Sequence, residues 1–229
     1  MDSIPTSLGR ALLRRTFLVL AMLGLGTAAA GQTPGGWPDL APELYVLAHV
    51  DVETTGLDPA FHEMVSIGMI YTDLDGAEIG RLDLRIMPAH PERIDAGAQA
   101  VNGFDPALWR RRGAIEEAEA ARRIRAFHDE TRRGRTVLFT AYNVWFDQAF
   151  VSALLRRHGQ EWRDLYHYQV LDIPSMAWAM GWRQLGGTGL AAALGIPDET
   201  RVPTEHTGIT GAAFNVSIYR ALLARRKPG

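Results

Sequence analysis

Residues 44–57 read LYVLAHVDVETTGL, an apolar run that ends abruptly in two acids. The run from Leu44 to Val50 is rich in strand formers and reads as a buried strand. Asp51 and Glu53 stand two apart, so on a strand their side chains share a face. Like charges so placed repel, and a cation between them removes the cost. Carboxylate oxygens suit a hard divalent ion. Taken alone, an Asp-x-Glu triplet also fits a plain polar strand end. Thr54, Thr55, Gly56 and Leu57 then offer hydroxyls, a permissive backbone and one apolar side chain beside the acids.

Outward from this stretch, MVSIGMIYT at 64–72 reads as a second strand and the Asp73–Gly76 segment as a hairpin turn. Alternation of Leu82, Leu84 and Ile86 within 81–87 gives a third strand, so the domain opens with an antiparallel three-strand meander. Ile115, Ala118, Ala121, Ile124 and Phe127 recur at helical spacing through an arginine-rich stretch, whose arginines read as a solvated face. TVLFTA at 136–141 is another strand, a helix starts near Asp147, and 170–173 is a short strand. Helices follow through Met176 and Trp178, over 190–194 with Gly195 as a C-cap, and over 210–223. The expected fold class is α/β: a mixed sheet, meander first, flanked by helices.

Two further chemical features lie downstream. Asn143-Val144-Trp145-Phe146-Asp147 brings an acid to the junction of a short strand and a helix, where Asp also serves as an N-cap. His206 falls in a loop between Pro203 and the last helix, placed to act as a general base if it lies near the acids. The other six histidines (His49, His62, His90, His128, His158 and His167) read as surface residues.

Composition narrows the classes. The chain has 229 residues, 47% hydrophobic and 22% charged, with a formal net charge of −2. Disorder is excluded, as is a basic binder whose affinity rests on counterion release. With no cysteine there is no disulfide, thiolate zinc site or cysteine nucleophile. Residues 1–30 carry Arg10, Arg14 and Arg15, then an apolar run from Phe17 ending in Ala28-Ala29-Ala30, which reads as an export signal or an anchor. Export to the periplasm or beyond is the expectation, with a cytoplasmic address if this segment is a start-site artefact. GQTPGGWP at 31–38 is linker-like, so 31–40 is taken as a linker and 41–226 as the working domain.

In order, Asp-x-Glu on the first strand, Asn-x-x-Phe-Asp about ninety residues on and a His before the last helix resemble the DEDD exonuclease superfamily in its DEDDh branch. VDVETTGL at 50–57, SIGMI at 66–70 and AVNGFDPALW at 100–109 are each similar to family segments. The resemblance implies a ribonuclease-H-like fold and hydrolysis of single-stranded DNA or RNA, or short oligonucleotides, from the 3′ end. It implies two Mg²⁺ or Mn²⁺ ions held by Asp51, Glu53 and Asp147, with His206 as general base. Thr54, Thr55, Gly56, Leu57, Asn143 and Phe146 are the implied substrate contacts, Leu57 and Phe146 against the terminal base. The family's fourth acid is here Gly211. Asn215, Glu205 and Asp172 are the candidate substitutes, and a restored acid at 211 is expected to be tolerated near a helix N-terminus. The alternative is an inactive exonuclease-fold module that binds nucleic acid or a protein partner.

Overall fold

The computed structural model describes residues 41–226. The signal-like segment 1–30 and the linker 31–40 lie outside the described residues. Strands β1 (Tyr45–Thr54), β2 (Met64–Thr72) and β3 (Glu78–Met87) form the expected antiparallel meander. After them come α1 (Ala96–Asn102), α2 (Pro106–Arg111), β4 (Ile115–Glu116) and α3 (Glu117–Arg132). The chain continues with β5 (Thr136–Ala141), α4 (Val144–Arg157), α5 (Trp162–Leu165) and β6 (Val170–Asp172). It closes with α6 (Ile173–Ala179), α7 (Gly187–Leu194) and α8 (Gly208–Leu223). The six strands lie in the order β4-β3-β2-β1-β5-β6. β5 is parallel to β1 and to β6, and β4 is parallel to β3, so the sheet is mixed. Among the described residues no helix is long and apolar enough to cross a membrane.

The strand alternation sorts side chains into two layers. Val46, Ala48, Val50 and Val52 of β1 join Ile67, Met69 and Tyr71 of β2 in the main core with α3 and α4. Ala120, Ala121 and Ile124 supply the buried stripe of α3. Its arginines pair locally, Arg122 and Arg123 with Glu119 and Arg125 with Asp129, which is the solvated face expected. Ile115 does not belong to that helix: it forms the short β4 beside Ile86.

The opposite face of β1 carries His49, Asp51 and Glu53, and α8 covers it. The approach is backbone to backbone. A Cβ on Gly208 would sit 2.5 Å from the Asp51 carbonyl oxygen and 2.7 Å from the Ile67 carbonyl carbon, and a Cβ on Gly68 would overlap the Gly208 peptide. The Gly208 N–H donates to Ser66 Oγ at 3.0 Å. Ile70, Ala212 and Val216 seal the contact one turn further on, and Asn215 Nδ2 donates to the Val50 carbonyl at 3.0 Å. The only relief for a methyl at 208 is movement of the whole helix. Gly208→Ala is therefore expected to cost on the order of 3 kcal/mol, read from urea unfolding midpoints; an unchanged midpoint would contradict the close seating.

Two of the histidines read as surface residues are in fact core. His49 and His128 are both at or below 1% exposure. His49 Nε2 lies 3.2 Å from Thr72 Oγ1, and Tyr71 Oη lies 2.9 Å from His128 Nδ1. Neither position interrupts a periodic apolar pattern, so the polarity of the residue type is misleading there. Burial, aided by the Arg220 charge, lowers the His49 pKa to about 3; burial, then Arg132, lowers that of His128 to about 4. Both rings stay neutral in the fold and take up a proton on unfolding. Their contribution to stability is intact above pH ~6.5 and shrinks as the pH falls through 6 toward 4. Tm is expected to fall over that window, and less steeply in His128→Gln.

Candidate active site

Asp51 and Glu53 come from β1, opposite Gly68 and Ser66 of β2. β1 runs on to Thr54, so both acids sit within the strand and not at its end. Asp147 lies in the first turn of α4 and is 3% exposed. It is not the N-cap: Asn143 holds that place, in a left-handed conformation (φ 57°). Asp147 Oδ1 instead accepts the Val52 N–H at 2.9 Å, tying α4 to the strand between the two other acids. Asp172, at the end of β6, accepts the Val144 N–H at 3.2 Å through Oδ1 and the Ser175 N–H at 3.1 Å through Oδ2. Its oxygens thus cap α4 and α6 and position Asp147 from outside.

His206 closes the group. Its Nε2 lies 3.0 Å from Glu53 Oε1; its Nδ1 lies 2.9 Å from the Thr200 carbonyl and 3.3 Å from Glu199 Oε1. The hydrogen bond to Glu53, with the Glu53 and Glu199 charges behind it, pushes the imidazole pKa up to about 9. Burial raises the carboxyls of Asp51 and Asp147 well above the ordinary range, and neighbouring acids add to it: Asp147, Glu53 and Glu199 at Asp51, and Glu53 at Asp147. Asp51 receives no hydrogen bond from any described side chain.

A cavity of about 290 Å³ opens over Asp51 and His206, with Glu199, Arg201, Gly211, Asn215, Tyr142 and Asn143 also in its wall, while Glu53 and Asp147 lie behind it. A larger cavity of about 410 Å³, lined by Arg132, Arg135 and Arg163, contains none of the acids and plays no part in this chemistry. Among the described residues no three acids or histidines already close a metal shell. Glu53 is engaged by His206 and one Asp147 oxygen by the Val52 amide. The donor set nevertheless suits a divalent cation: carboxylate oxygens, mutually repelling, with Asp51 unengaged.

The implied substrate contacts divide. Leu57 is 80% exposed and Phe146 half-buried against Phe150, with Trp145 exposed beside it. Trp145 lies within the Asn143–Asp147 motif but carries no role there from the sequence. Asn143 is exposed at the cavity rim. Thr54 and Thr55 are buried and spent on the turn: Thr54 Oγ1 donates to the Gly56 carbonyl at 2.7 Å, and Thr55 Oγ1 accepts the Glu63 N–H at 3.0 Å. Gly56 is covered by the His62 ring. These three shape the loop from within.

The expectation for position 211 does not hold as stated. Gly211 lies in α8 directly against Asp51, and a Cβ there would fall 2.8 Å from Asp51 Oδ1 and overlap Cγ and Oδ2. Favourable placement near a helix N-terminus does not help when another carboxylate holds the space. Of the substitutes, Glu205 is exposed and Asp172 is capping helices; Asn215 lines the cavity but spends its amide nitrogen on Val50. Gly211→Asp is expected to displace Asp51 and to weaken, not restore, stabilisation by Mn²⁺. Melting curves with and without the ion check this; a larger Mn²⁺-induced shift than in wild type would show that both carboxylates fit.

The chain matches the RNase_T exonuclease family over residues 49–184. No curated protein matches it. Among solved structures it is similar to a zinc-bound form of an E. coli exonuclease I–single-stranded DNA complex, with TM-score 0.64 and 20% identity, covering 80% of this chain and 40% of that one. E. coli exonuclease I with a dT13 oligonucleotide carrying a 5cy label gives TM-score 0.62 and 20% identity, covering 80% and 40%. A product-bound exonuclease I gives 0.62 and 19%, covering 80% and 44%. This chain thus spans about two fifths of the exonuclease I chains, and the likeness is one of fold. With the family match covering more than half of the sequence, the chain belongs to the RNase_T exonuclease family, of ribonuclease-H-like fold.

Proposed function

We propose that residues 41–226 form a divalent-metal-dependent exonuclease that removes nucleotides from the 3′ end of single-stranded nucleic acid or short oligonucleotides. The observation that carries this reading is the convergence of Asp51 and Glu53, Asp147 and His206 from three separate places in the sequence: Asp51 and His206 line one cavity, His206 touches Glu53, and Asp147 is bonded to the strand residue between the two β1 acids. The exonuclease I structures of the same fold that hold oligonucleotides support a single-stranded substrate. Asp51, Glu53 and Asp147 would hold Mg²⁺ or Mn²⁺, which supplies Lewis acidity to a water and to the leaving oxygen. As general base His206 would take the proton of the attacking water, which requires its Nε2 to part from Glu53 and the ring to give up the proton that this contact favours, its pKa standing at about 9 beside Glu53. Exposed Leu57 and half-buried Phe146 offer apolar surface to the terminal base. The signal-like residues 1–30 support an exported address for this activity.

Gly211 favours a second reading, an inactive module that keeps the fold and binds nucleic acid or a protein. Two measurements separate the readings. Mn²⁺ is expected to raise the Tm of the full chain by binding the native state, and a 5′-labelled single-stranded oligonucleotide is expected to shorten from its 3′ end. Asp51→Asn should lose both effects. His206→Ala should keep the Tm shift and lose about 10²-fold or more in turnover. Retained oligonucleotide binding with neither shift nor shortening would establish the inactive module instead.

A further inference from the structure

We infer that Glu199 supplies the carboxylate that Gly211 lacks, as a ligand of the metal site on the Asp51 side of the cavity. The inference rests on the proposed metal-dependent reading and names a residue that the family pattern does not contain. Three observations converge on it. Position 211 cannot carry an acid while Asp51 stands where it does, because a Cβ there already overlaps the Asp51 carboxylate. On the metal-dependent reading, the charge that 211 lacks has to come from elsewhere on the cavity wall. Among the residues that line the cavity, Glu199 is the acid other than Asp51. Its side chain is also held inward: Thr210 Oγ1, on the residue before Gly211, lies 3.0 Å from Glu199 Oε1, and His206 Nδ1 lies 3.3 Å from the same oxygen. The loop that follows α7 thus reaches the N-terminus of α8 and holds a carboxylate against Thr210, the residue before Gly211.

The chemistry fits the place. Glu199 and Asp51 are the two acids that line one cavity, and carboxylates brought together there repel as a ligand pair does without its ion. Glu199 Oε1 is engaged by Thr210 and His206, while no described side chain donates to Oε2. Asn215, the competing candidate, offers only a neutral amide whose nitrogen is bound to Val50. A glutamate on a loop can also follow an ion in a way that a helix-bound aspartate at 211 could not.

The test is Mn²⁺ binding to the full chain, read as free Mn²⁺ by electron paramagnetic resonance, with no substrate present. Glu199→Gln keeps the size and hydrogen-bonding capacity of the side chain and removes its charge. It is expected to weaken one Mn²⁺ at least tenfold or to lose it, while Glu205→Gln, on the exposed neighbour, binds as wild type. Glu199→Asp, which keeps the charge and guards against a folding defect in the amide variant, is expected to bind better than Glu199→Gln. If Glu199→Gln binds Mn²⁺ like wild type while Asp51→Asn does not, Glu199 merely orients His206 and the inference falls with the metal site intact. If wild type binds no Mn²⁺ at all, the metal-dependent reading and this inference fall together.

Discussion

The backbone contact between the start of α8 and the β1–β2 pair governs the rest of the structure. Gly68 and Gly208 meet with no room for a Cβ on either, and that distance fixes the depth at which α8 lies on the sheet. From it follow the burial of Glu53 and the partial burial of Asp51, the arrival of His206 at Glu53 from the loop just ahead of the helix, and the loss of space at 211. A dispersion-packed helix at ordinary spacing would leave a side chain's thickness between helix and strand. Here glycine replaces that layer, and the site takes the space.

The electrostatics of the centre are unbalanced in the absence of a cation. Asp51, Glu53, Asp147 and Glu199 face His206, with Arg201 in the cavity wall near Glu199, and burial amplifies the like-charge contacts. His206 serves as an internal counter-charge for Glu53 and Glu199. The carboxylates at Asp51 and Asp147 have only the Val52 amide and their surroundings to hold them. Such a centre is costly as bare protein and is stabilised by any group that brings positive charge without bulk.

Much of this was legible in the sequence because apolar runs and acids sit side by side in it. β1, β2, β5 and the last helix follow from uninterrupted or periodic apolar residues, and Asp51, Glu53, Asp147 and His206 stand at the ends or starts of those runs. α1 and α2 were not legible: at seven and six residues they are too short for a period, and they owe their existence to the caps Asp95, Gly103 and Asp105. Glu199 was invisible for a different reason. In the Pro197-Asp198-Glu199-Thr200 loop an acid reads as turn polarity, and only the folding of that loop over α8 gives it a partner. Glycine at 211 raised the question of a substitute, but in the sequence the neighbours at hand were Asn215, Glu205 and Asp172, of which Glu205 is exposed. His49 and His128 show the same limit, since nothing in a residue's own polarity reports a buried partner such as Thr72 or Tyr71.

The crowding at 211 also bears on where such a site can be altered. Once a helix has settled to the depth that Gly68 and Gly208 allow, and Asp51 has filled the space beside Gly211, an aspartate at 211 gains nothing until Asp51 has been moved. Moving Asp51 first would dismantle the centre. Neither change is neutral alone, so the geometry as it stands resists an acid at 211. A carboxylate on the loop around Glu199 can be repositioned without touching the sheet, whereas 208 and 211 are held to glycine by what already fills the space beside them.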